Sequence, residues 1–256
     1  MQLGQIWRNR SLIRTFAVND LVLRYKGSLL GALWSFLEPI LMLGILYLIF
    51  SNVFKSDIEN YPLYLLLGII MWNYFARSTS TGLGIILART GIVNQTYFPR
   101  AILPISSCIT MFIMLGVEFV VFFGFVAGFQ FVPPATIFVL PVLVVLLFCL
   151  TLGISFILSV MYVKFRDVQN IWSIAIYAGF FLTPVIYDMS IFPDHIEQIL
   201  LLNPMAQFLD MAHDAALYGQ LPSAFAITYT AIFSVGMLIV GYIIFKHYEF
   251  KVVEEL

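Results

Sequence analysis

The sequence predicts an all-α integral membrane fold with six transmembrane helices. Hydrophobic residues make up 61% of the chain and charged residues only 11%, at a mean hydropathy of +0.97, whereas soluble domains are about 25% charged. Six segments reach the roughly 20 apolar residues that a helix needs to cross a bilayer. Once these segments are subtracted, no soluble domain of useful size remains, so residues 1–256 are predicted to form one transmembrane domain.

Residues 1–32 are predicted to form an amphipathic helix in the cytosolic interface of the membrane. Ile13, Phe16 and Ala17 follow a helical period, and Arg10 and Arg14 lie between the apolar positions. Apolar and basic faces on one helix are typical of interfacial helices. A basic tail that only sets the orientation of the chain is the alternative, because Lys and Arg before a first span favour the cytosolic side.

Spans one to five are predicted within residues 33–187, and span six at residues 225–246. The first five have the approximate bounds 33–53, 62–87, 104–129, 135–160 and 168–187. Lys and Arg indicate the orientation, because cytosolic loops carry an excess of both. With six spans, eleven of the 13 Lys and Arg residues fall on the side of the N-terminus. We therefore expect a multi-pass protein with both termini in the cytosol.

Two connecting segments are predicted to have structure of their own. Residues 88–103 read as a short cytosolic helix between Gly91 and Pro99, suited to docking a soluble partner, with an ordinary connecting loop as the alternative. Residues 188–223 read as two short external gate helices, each beginning beside a proline. Such half-depth helices are tolerated only against protein or a watery cavity, so a re-entrant pair is expected. Loose external loops are the alternative.

Signatures of catalysis are missing from the sequence. No Gly-x-x-x-x-Gly-Lys-Ser/Thr phosphate loop occurs, so any ATP would be bound by another polypeptide. Asp210, His213 and Asp214 have a spacing that places them on one helix face, but such groups at a membrane surface are usually solvated rather than metal-bound. No paired-carboxylate or serine–histidine arrangement is legible in the spans, so the chain is not predicted to be an enzyme.

Ionisable and aromatic side chains inside the spans are candidates for function. Glu38 lies near the cytosolic end of span one, where a pathway role and a structural hydrogen-bonding role both stay open. Glu118 lies deeper and must pair, face a cavity or stay protonated, and no partner is evident. Arg77 lies nearer the basic end of span two, where it could snorkel. Aromatic residues, 16% of the chain, either face lipid and core or line a tunnel on which sugars stack.

Motifs spread along the chain match one family of membrane proteins. Arg24-Tyr25-Lys26-x-Ser28-x-Leu30-Gly31-x-Leu33-Trp34-x-x-x-x-Pro39 precedes and opens span one, and Tyr97-Phe98-Pro99-Arg100-x-Ile102-Leu103-Pro104 precedes span three. Arg166-Asp167-Val168 opens span five, and Thr183-Pro184-Val185-Ile186-Tyr187 and Leu202-Asn203-Pro204-Met205 flank the gate region. Together they resemble the ABC-2-type polysaccharide exporter permease family, the membrane subunits of O-antigen, capsule or teichoic-acid ABC transporters.

The resemblance implies the partners of the chain. A second copy of the chain would complete a channel, and two soluble nucleotide-binding ATPase subunits would drive it. ATP and Mg would be bound by those subunits, and no cofactor or metal by this chain. The substrate would be a lipid-linked glycan exported across the bacterial cytoplasmic (inner) membrane. Membrane lipid is the remaining partner, and no nucleic acid is expected.

The resemblance also implies three groups of site residues. The channel-lining group comes from spans one and five and comprises Trp34, Phe36, Glu38, Tyr177, Phe180, Phe181 and Tyr187. The ATPase-coupling group comprises Asn94, Gln95, Tyr97, Phe98 and Arg100. The substrate-access group comprises Arg24, Tyr25 and Lys26. Many members of the family carry an Arg in the second gate helix, where His213 stands in this chain.

Three other functions fit parts of the sequence. An ABC-2 exporter of a drug or small lipid would keep the same fold, although the gate helices and abundant aromatic residues argue against it. A membrane enzyme of lipid-linked sugar metabolism would need an acid/base or metal set that is not legible. A proton-coupled secondary transporter would depend on Glu118 alone, and the chain shows no internal repeat of the kind common in that class.

Overall fold

The computed structural model describes residues 8–50, 58–95 and 98–249. Within these residues the chain is folded into α-helices joined by turns, and no strand is present. The α-helices are α1 Arg10–Tyr25, α2 Trp34–Phe50, α3 Tyr61–Ala88, α4 Thr90–Gln95, α5 Ile102–Gly128, α6 Leu140–Lys164, α7 Val168–Phe181, α8 Asp194–Leu200, α9 Pro204–His213 and α10 Ala224–Tyr248. Short 3-10 turns lie at Gly31–Leu33, Ala135–Val139 and Met189–Ile191, and a π-helical turn lies at Asp214–Tyr218.

Four helical segments are long and apolar enough to cross a membrane. Among the described residues they are Gly31–Phe50, Ile102–Gly128, Ala135–Lys164 and Ala224–Tyr248. Their positions correspond to predicted spans one, three, four and six. The all-helical architecture and these apolar segments agree with the integral membrane fold that the composition predicts.

Predicted spans two and five differ from the other four. α3 has 28 residues, but it includes Asn73 and Arg77, and much of its surface is buried within the bundle. α7 has 14 residues, which give about 21 Å of helix at 1.5 Å per residue, less than the roughly 30 Å of a bilayer core. The expectation of one regular span over 168–187 is therefore wrong beyond Phe181, and the six-span topology stays a prediction.

α3 forms the centre of the bundle. Nearly every residue from Leu63 to Met71 is buried, and Leu65, Leu66 and Leu67 have no exposed surface. A helix that is apolar on every side is stable only where other elements surround it. α2, α5, α6, α7 and α9 all pack against α3, so the position of each depends on this helix.

The two ends of the bundle carry opposite charge. One end, called the basic end below, carries Arg89, Arg100, Lys164 and Arg166. Arg89 pairs with Asp20 of α1, the residues beside Arg100 and Lys164 share an apolar cluster with Phe16 of α1, and Arg166 lines a pocket with Leu87. The other end, called the acidic end, carries Asp188, Asp194, Glu197, Asp210 and Asp214, and no Lys or Arg occurs among the described residues there. This division follows the predicted orientation, in which the basic end is cytosolic.

The gate helices occupy part of the predicted stretch 188–223. α8 is short, and α9 begins at Pro204 after Asn203, whose side-chain oxygen accepts a hydrogen bond from the Met205 N–H at 3.0 Å. This is the usual way to cap a helix N-terminus. α9 is almost entirely buried, so a loose external loop does not describe it.

Two glycines allow α6 and α10 to pack backbone to backbone. A Cβ atom on Gly241 would overlap the carbonyl oxygen of Gly153, and one on Gly153 would overlap the backbone at Met237 and Leu238. Small residues permit this close approach in membranes, where packing rather than hydrophobic burial holds helices together. α10 is thereby held on α6.

The backbone is no longer helical after α7, so its carbonyl groups lose their helical hydrogen-bond partners. Two tyrosine hydroxyls donate to these carbonyls instead. Thr183-Pro184 explains the break, because a residue before proline disfavours helix and proline has no N–H. The following residues are buried. The Tyr61 hydroxyl donates to the Ile186 carbonyl at 2.8 Å, and the Tyr64 hydroxyl donates to the Tyr187 carbonyl at 2.8 Å. Backbone carbonyls need such partners wherever water is excluded.

Tyr64→Phe is expected to lower the stability of the purified protein, because the ring remains while the Tyr187 carbonyl loses its donor. An unsatisfied buried acceptor costs about 1–3 kcal/mol, which should appear as a lower thermal unfolding midpoint in detergent. Tyr47→Phe is the matched control, since the Tyr47 side chain is 43% exposed. Equal midpoints for the two variants would contradict the capping role of Tyr64.

Gly241→Ala should push α10 away from α6, because the new methyl group meets the Gly153 backbone. We expect less folded protein by size-exclusion chromatography and a lower thermal midpoint. Gly236→Ala on the same helix is the control, since nothing lies within 4 Å of its new methyl group. It should be neutral or stabilising by up to about 1 kcal/mol, because alanine favours a helix over glycine. Equal thermal midpoints for Gly241→Ala and Gly236→Ala would contradict the close packing of α6 against α10 at Gly241.

Candidate functional site

The segment between α1 and α2 connects the basic surface helix to the first apolar span. α1 ends at Tyr25, and the backbone is then left-handed at Gly27 (φ 80°) and Gly31 (φ 50°). Glycine accepts such angles because it has no Cβ atom. After the 3-10 turn, α2 begins at Trp34. The chain reverses so that the end of α1 lies beside the first turn of α2.

A cleft of about 350 Å³ lies between the end of α1, the first turns of α2, and α5. It brings together Arg24 and Tyr25, predicted for substrate access, with Trp34 and Glu38, predicted for the channel. A hydrogen bond between the hydroxyls of Tyr25 and Ser35 ties the two helices together. Cation, aromatic rings, hydroxyls and carboxylate therefore share one cleft at the basic end.

Lys26 and Phe36 lie outside this cleft. The exposed Lys26 follows the last turn of α1, and its backbone N–H donates to the Val22 carbonyl at 3.0 Å. Phe36 is half-buried and packs against the core around α3. Their predicted parts in substrate access and in the channel stay predictions.

Arg77 of α3 joins the two intramembrane acids. Its guanidinium donates to Glu38 of α2 at 3.3 Å and to Glu118 of α5. The Glu118 side chain has no exposed surface, whereas the Glu38 side chain is 50% exposed. Removing one partner of a buried ion pair costs far more than the pair itself contributes, so the three residues hold α2, α3 and α5 in one register.

The expectation that Arg77 snorkels is therefore wrong, and Arg77 is the partner that Glu118 lacks in the sequence. The guanidinium also donates to the Asn73 carbonyl at 3.2 Å, which directs it along its own helix. A signal was present, because an acid inside a span requires a counter-charge and Arg77 is the only Arg within the predicted spans. The pairing itself depends on how three helices rotate, which residue spacing does not reveal.

The predicted channel residues in α7 and in the segment after it do not all face the same way: some are exposed and others pack inward. Tyr177 and Phe181 are 75% and 63% exposed. The Phe180 ring packs inward with its centroid 6.0 Å from that of Trp72. The Tyr187 hydroxyl donates to the Phe181 carbonyl at 2.8 Å. α7 therefore has an exposed aromatic face with Tyr177 and Phe181, while Phe180 on its opposite face packs against Trp72 of α3.

The predicted ATPase-coupling residues lie in and after α4. Asn94 and Gln95 belong to this helix, and Tyr97 lies outside the described residues. Phe98 is 9% exposed, and its ring centroid lies 6.0 Å from that of Phe16 in α1. The Phe98 ring therefore packs within the chain rather than on its surface.

Arg100 is tied to the end of α10. Its backbone N–H donates to Glu249 Oε1 and its guanidinium to the Glu249 carbonyl, each at 2.9 Å. Nearby, Arg89 forms an ion pair with Asp20 of α1. The segment around α4 is thus connected to both α1 and α10 at the basic end.

His213 is a buried residue of α9, and its ring packs against Tyr64. Its Nε2 lies 3.1 Å from the Tyr64 carbonyl, and its ring stacks on the Tyr64 ring with centroids 3.6 Å apart. Burial lowers the pKa of His213 to about 3, so the ring is neutral and supplies no charge of the kind an Arg would. Among the described residues, no group of three His, Cys, Asp or Glu side chains could hold a metal ion.

These features define a class of protein. Ionisable residues inside apolar helical bundles mark substrate and ion pathways, so a buried ion pair beside a charged, aromatic cleft agrees with a membrane transport protein. A sequence model of the family described as ABC-2 type transporter matches residues 11–217. The chain belongs to this family, as its motifs indicate.

Relatives with assigned functions cover nearly the whole chain. It is 31% identical over 242 residues to an O-antigen export system permease protein RfbA of Klebsiella pneumoniae, covering 93% of this chain and 92% of the relative. It is 31% identical to RfbA of Myxococcus xanthus, covering 91% of each chain. It is 25% identical to the polysialic acid transport protein KpsM of Escherichia coli, covering 93% of each. These relatives are transport permeases of polysaccharide exporters, which supports a transport role rather than an enzymatic one.

Arg77→Met is expected to destabilise the protein by about 3–5 kcal/mol, because it leaves the Glu118 carboxylate buried and unpaired. The double variant Arg77→Met with Glu118→Gln should recover much of this loss. Glu38→Gln is the control and should change stability far less, since that side chain is half exposed. Chemical unfolding in detergent measures all of these. Equal losses of stability for Arg77→Met and Glu38→Gln would contradict the claim that the buried pair with Glu118 matters more than the exposed pair with Glu38.

Asp210→Asn should remove a pH dependence of stability. Burial raises the pKa of Asp210 to about 7, and the carboxyl groups of Asp214, Asp188 and Glu197 contribute. Between about pH 4 and 7 the folded state holds a proton that the unfolded state has lost, so stability falls as pH rises through this range. In detergent without phospholipid, the variant should gain thermal midpoint over the wild type at pH 8 and little at pH 4. The same difference at both pH values would contradict this.

Proposed function

We propose that the chain is the transmembrane subunit of an ATP-driven exporter that moves a lipid-linked polysaccharide outward across the bacterial cytoplasmic membrane. Two copies would form the channel, two soluble ATPase subunits would bind ATP and Mg, and both termini would be cytosolic. The cleft at the basic end carries the proposal, because it joins the proposed access and channel residues in one place. The functions of RfbA and KpsM, named above, support the choice of substrate class.

The chemistry of the cleft suits a glycan carried on a lipid phosphate. Arg24 donates to the Met111 sulfur at 3.8 Å, and no carboxylate of the described residues lies within ion-pair distance of its guanidinium. A phosphate group is the natural partner for such a cation. The exposed Trp34 ring and the Ser28 hydroxyl beside it offer the stacking and hydrogen bonding that sugars use.

The apolar surface beside the cleft suits the lipid part of the substrate. Leu29, Leu30 and Leu33 between α1 and α2 are all exposed, Leu29 completely. A lipid chain in the membrane would lie along these residues while its phosphate reaches Arg24. Glu38 would remain a fixed wall of the cleft, because Arg77 holds it.

Exposed faces on α2 and α7 support a channel made of two copies. Leu41, Ile45 and Leu48 project from α2, and Ile174 and Tyr177 from α7. α2 packs against α3 and α5, and α7 packs against α3 and α6, so these exposed side chains lie on faces turned away from the bundle. In a homodimer, the α7 face with Tyr177 and Phe181 would line the pathway, as the family resemblance implies.

The energy source would act at the basic end. The chain has no phosphate loop of its own, so ATP binding falls to separate subunits. α1 and α4 would contact them, and the ion pair between Arg89 and Asp20 together with the bond from Arg100 to Glu249 would transmit their movement to α1 and α10. Export of a drug or small lipid by the same fold is the alternative that the transport assay below distinguishes.

Arg24→Gln is expected to reduce surface polysaccharide and to raise the pool of lipid-linked glycan inside the cell. The loss of a charged hydrogen bond to phosphate weakens binding roughly tenfold or more. Lys164→Gln is the matched control, because Lys164 is an exposed cation of the basic end that lies outside the cleft and outside α1 and α4. The ratio of surface to internal glycan is the measurement. Equal export of polysaccharide by both variants would contradict a role of Arg24 in substrate access.

Affinity purification of the tagged chain should recover a soluble ATPase from the same cell. The ATPase activity of such a membrane preparation should depend on this chain. Recovery of no ATPase, with hydrolysis unchanged when the chain is deleted, would contradict the exporter function itself. Recovery of the ATPase with normal surface glycan in a deletion strain would point instead to a drug or small-lipid substrate.

A further inference from the structure

A groove of about 280 Å³ lies at the acidic end, between the gate helices and the first turns of α10. Its polar lining includes Gln207, Asp210, Ser223 and Tyr229, and its apolar lining includes Leu202 and Phe225. None of these residues belongs to the cleft at the basic end or to α7. The proposed export pathway therefore does not account for the groove.

Gln207 presents a buried acceptor to the groove. The residue is 8% exposed, and its side-chain Nε2 donates to the Leu201 carbonyl at 2.9 Å. That bond orients the amide and leaves Oε1 buried without a hydrogen-bond partner among the described residues. Buried acceptors in folded proteins are nearly always hydrogen-bonded, so Oε1 is suited to a donor that a ligand brings.

Asp210 lines the same groove without a counter-charge. No Lys or Arg of the described residues lies within ion-pair distance of its carboxyl group. The charged groups that act on it are Asp214, Asp188 and Glu197, all acids. A largely buried carboxylate is unfavourable unless it is paired. The amide oxygen and the carboxylate together favour a ligand with positive charge and several N–H donors.

An aromatic wall adds to the attraction for a cation. The rings of Phe225 and Tyr229 are stacked, with centroids 6.2 Å apart and an interplanar angle of 21°. The Tyr229 hydroxyl already donates its hydrogen to the Leu202 carbonyl at 2.6 Å, so only its oxygen, as an acceptor, remains for a ligand. Aromatic faces attract ammonium groups, which again favours a primary amine over an anion.

The N-terminus of α10 lies at the same groove and favours a negative group. The Ser223 hydroxyl accepts a hydrogen bond from the Ala226 N–H at 3.1 Å. The N–H groups of Ala224 and Phe225 have no acceptor within the helix, because the first turn of any helix leaves its donors unpaired. Such termini bind phosphate groups. One end of the groove is thus suited to an ammonium group and the other to a phosphate.

We propose that this groove binds the phosphoethanolamine headgroup of phosphatidylethanolamine, with the ammonium between Gln207 Oε1 and the Asp210 carboxylate and the phosphate at the N-terminus of α10. Leu202 and Phe225 are 66% and 74% exposed and continue the apolar lining outward, where the acyl chains would lie. The surrounding acids disfavour a headgroup with net negative charge, such as phosphatidylglycerol. Phosphatidylcholine carries the positive charge but no N–H for the two acceptors.

The thermal midpoint of the full chain in nanodiscs at pH 8, where the Asp210 carboxyl group is ionised, tests the proposal. One set contains phosphatidylethanolamine, and the matched set contains phosphatidylcholine with the same acyl chains. We expect a higher midpoint in phosphatidylethanolamine for the wild type, and loss of most of this difference in Asp210→Asn and Gln207→Leu. Native mass spectrometry should show roughly tenfold weaker retention of phosphatidylethanolamine by Asp210→Asn, because a charged hydrogen bond is lost. Asp194→Asn, an exposed acid outside the groove, is the control and should keep the full difference.

Identical wild-type midpoints in the two lipids would overturn the proposal, as would an undiminished difference in both groove variants. If Asp210→Asn does not fold, Gln207→Leu decides alone. A shift of equal size from soluble glycerophosphoethanolamine in phosphatidylcholine nanodiscs would overturn the assignment to a membrane lipid. No transport is measured, so the result stands whether or not the chain exports polysaccharide.

Discussion

The ion pairs of Arg77 are the constraint on which the other features of the molecule depend. A guanidinium within an apolar bundle has to be neutralised there, because an unpaired charge inside a membrane costs several kcal/mol. α2 and α5 must therefore present Glu38 and Glu118 at the depth where α3 presents Arg77. Glu38 is also a wall of the cleft at the basic end, so the geometry of that cleft follows from the pairing of charges.

α3 has a similar role at the acidic end, by hydrogen bonding rather than charge. Tyr61 and Tyr64 supply hydroxyl donors to the irregular segment after α7, and the Tyr64 carbonyl receives His213 of α9. The gate helices and the end of α7 are thus positioned by the first two turns of one helix. α3, the buried central helix, therefore positions the surrounding elements at both ends of the bundle.

Hydropathy predicts the helices of this chain well, because the apolar runs needed to cross a membrane leave little freedom in local structure. The prediction from hydropathy fails after Phe181. Residues 182–187 are apolar enough to continue the span, but Pro184 lacks the N–H that a helix needs, so the helix ends. The pairing of Glu118 with Arg77 and the burial of Phe98 against Phe16 depend on how helices rotate and meet, which no single sequence reports. The cleft likewise combines Arg24 and Trp34 only because the backbone reverses at Gly27 and Gly31.

The contact between Gly153 and Gly241 bears on how the bundle assembles. α6 precedes α10 in the chain by several helices, so the surface of α6 around Gly153 stays uncovered until α10 packs on it. The close contact can form only when both helices are in place, because each backbone fills the space beside the other. Two residues that have no side chain thus couple the placement of α6 to that of α10.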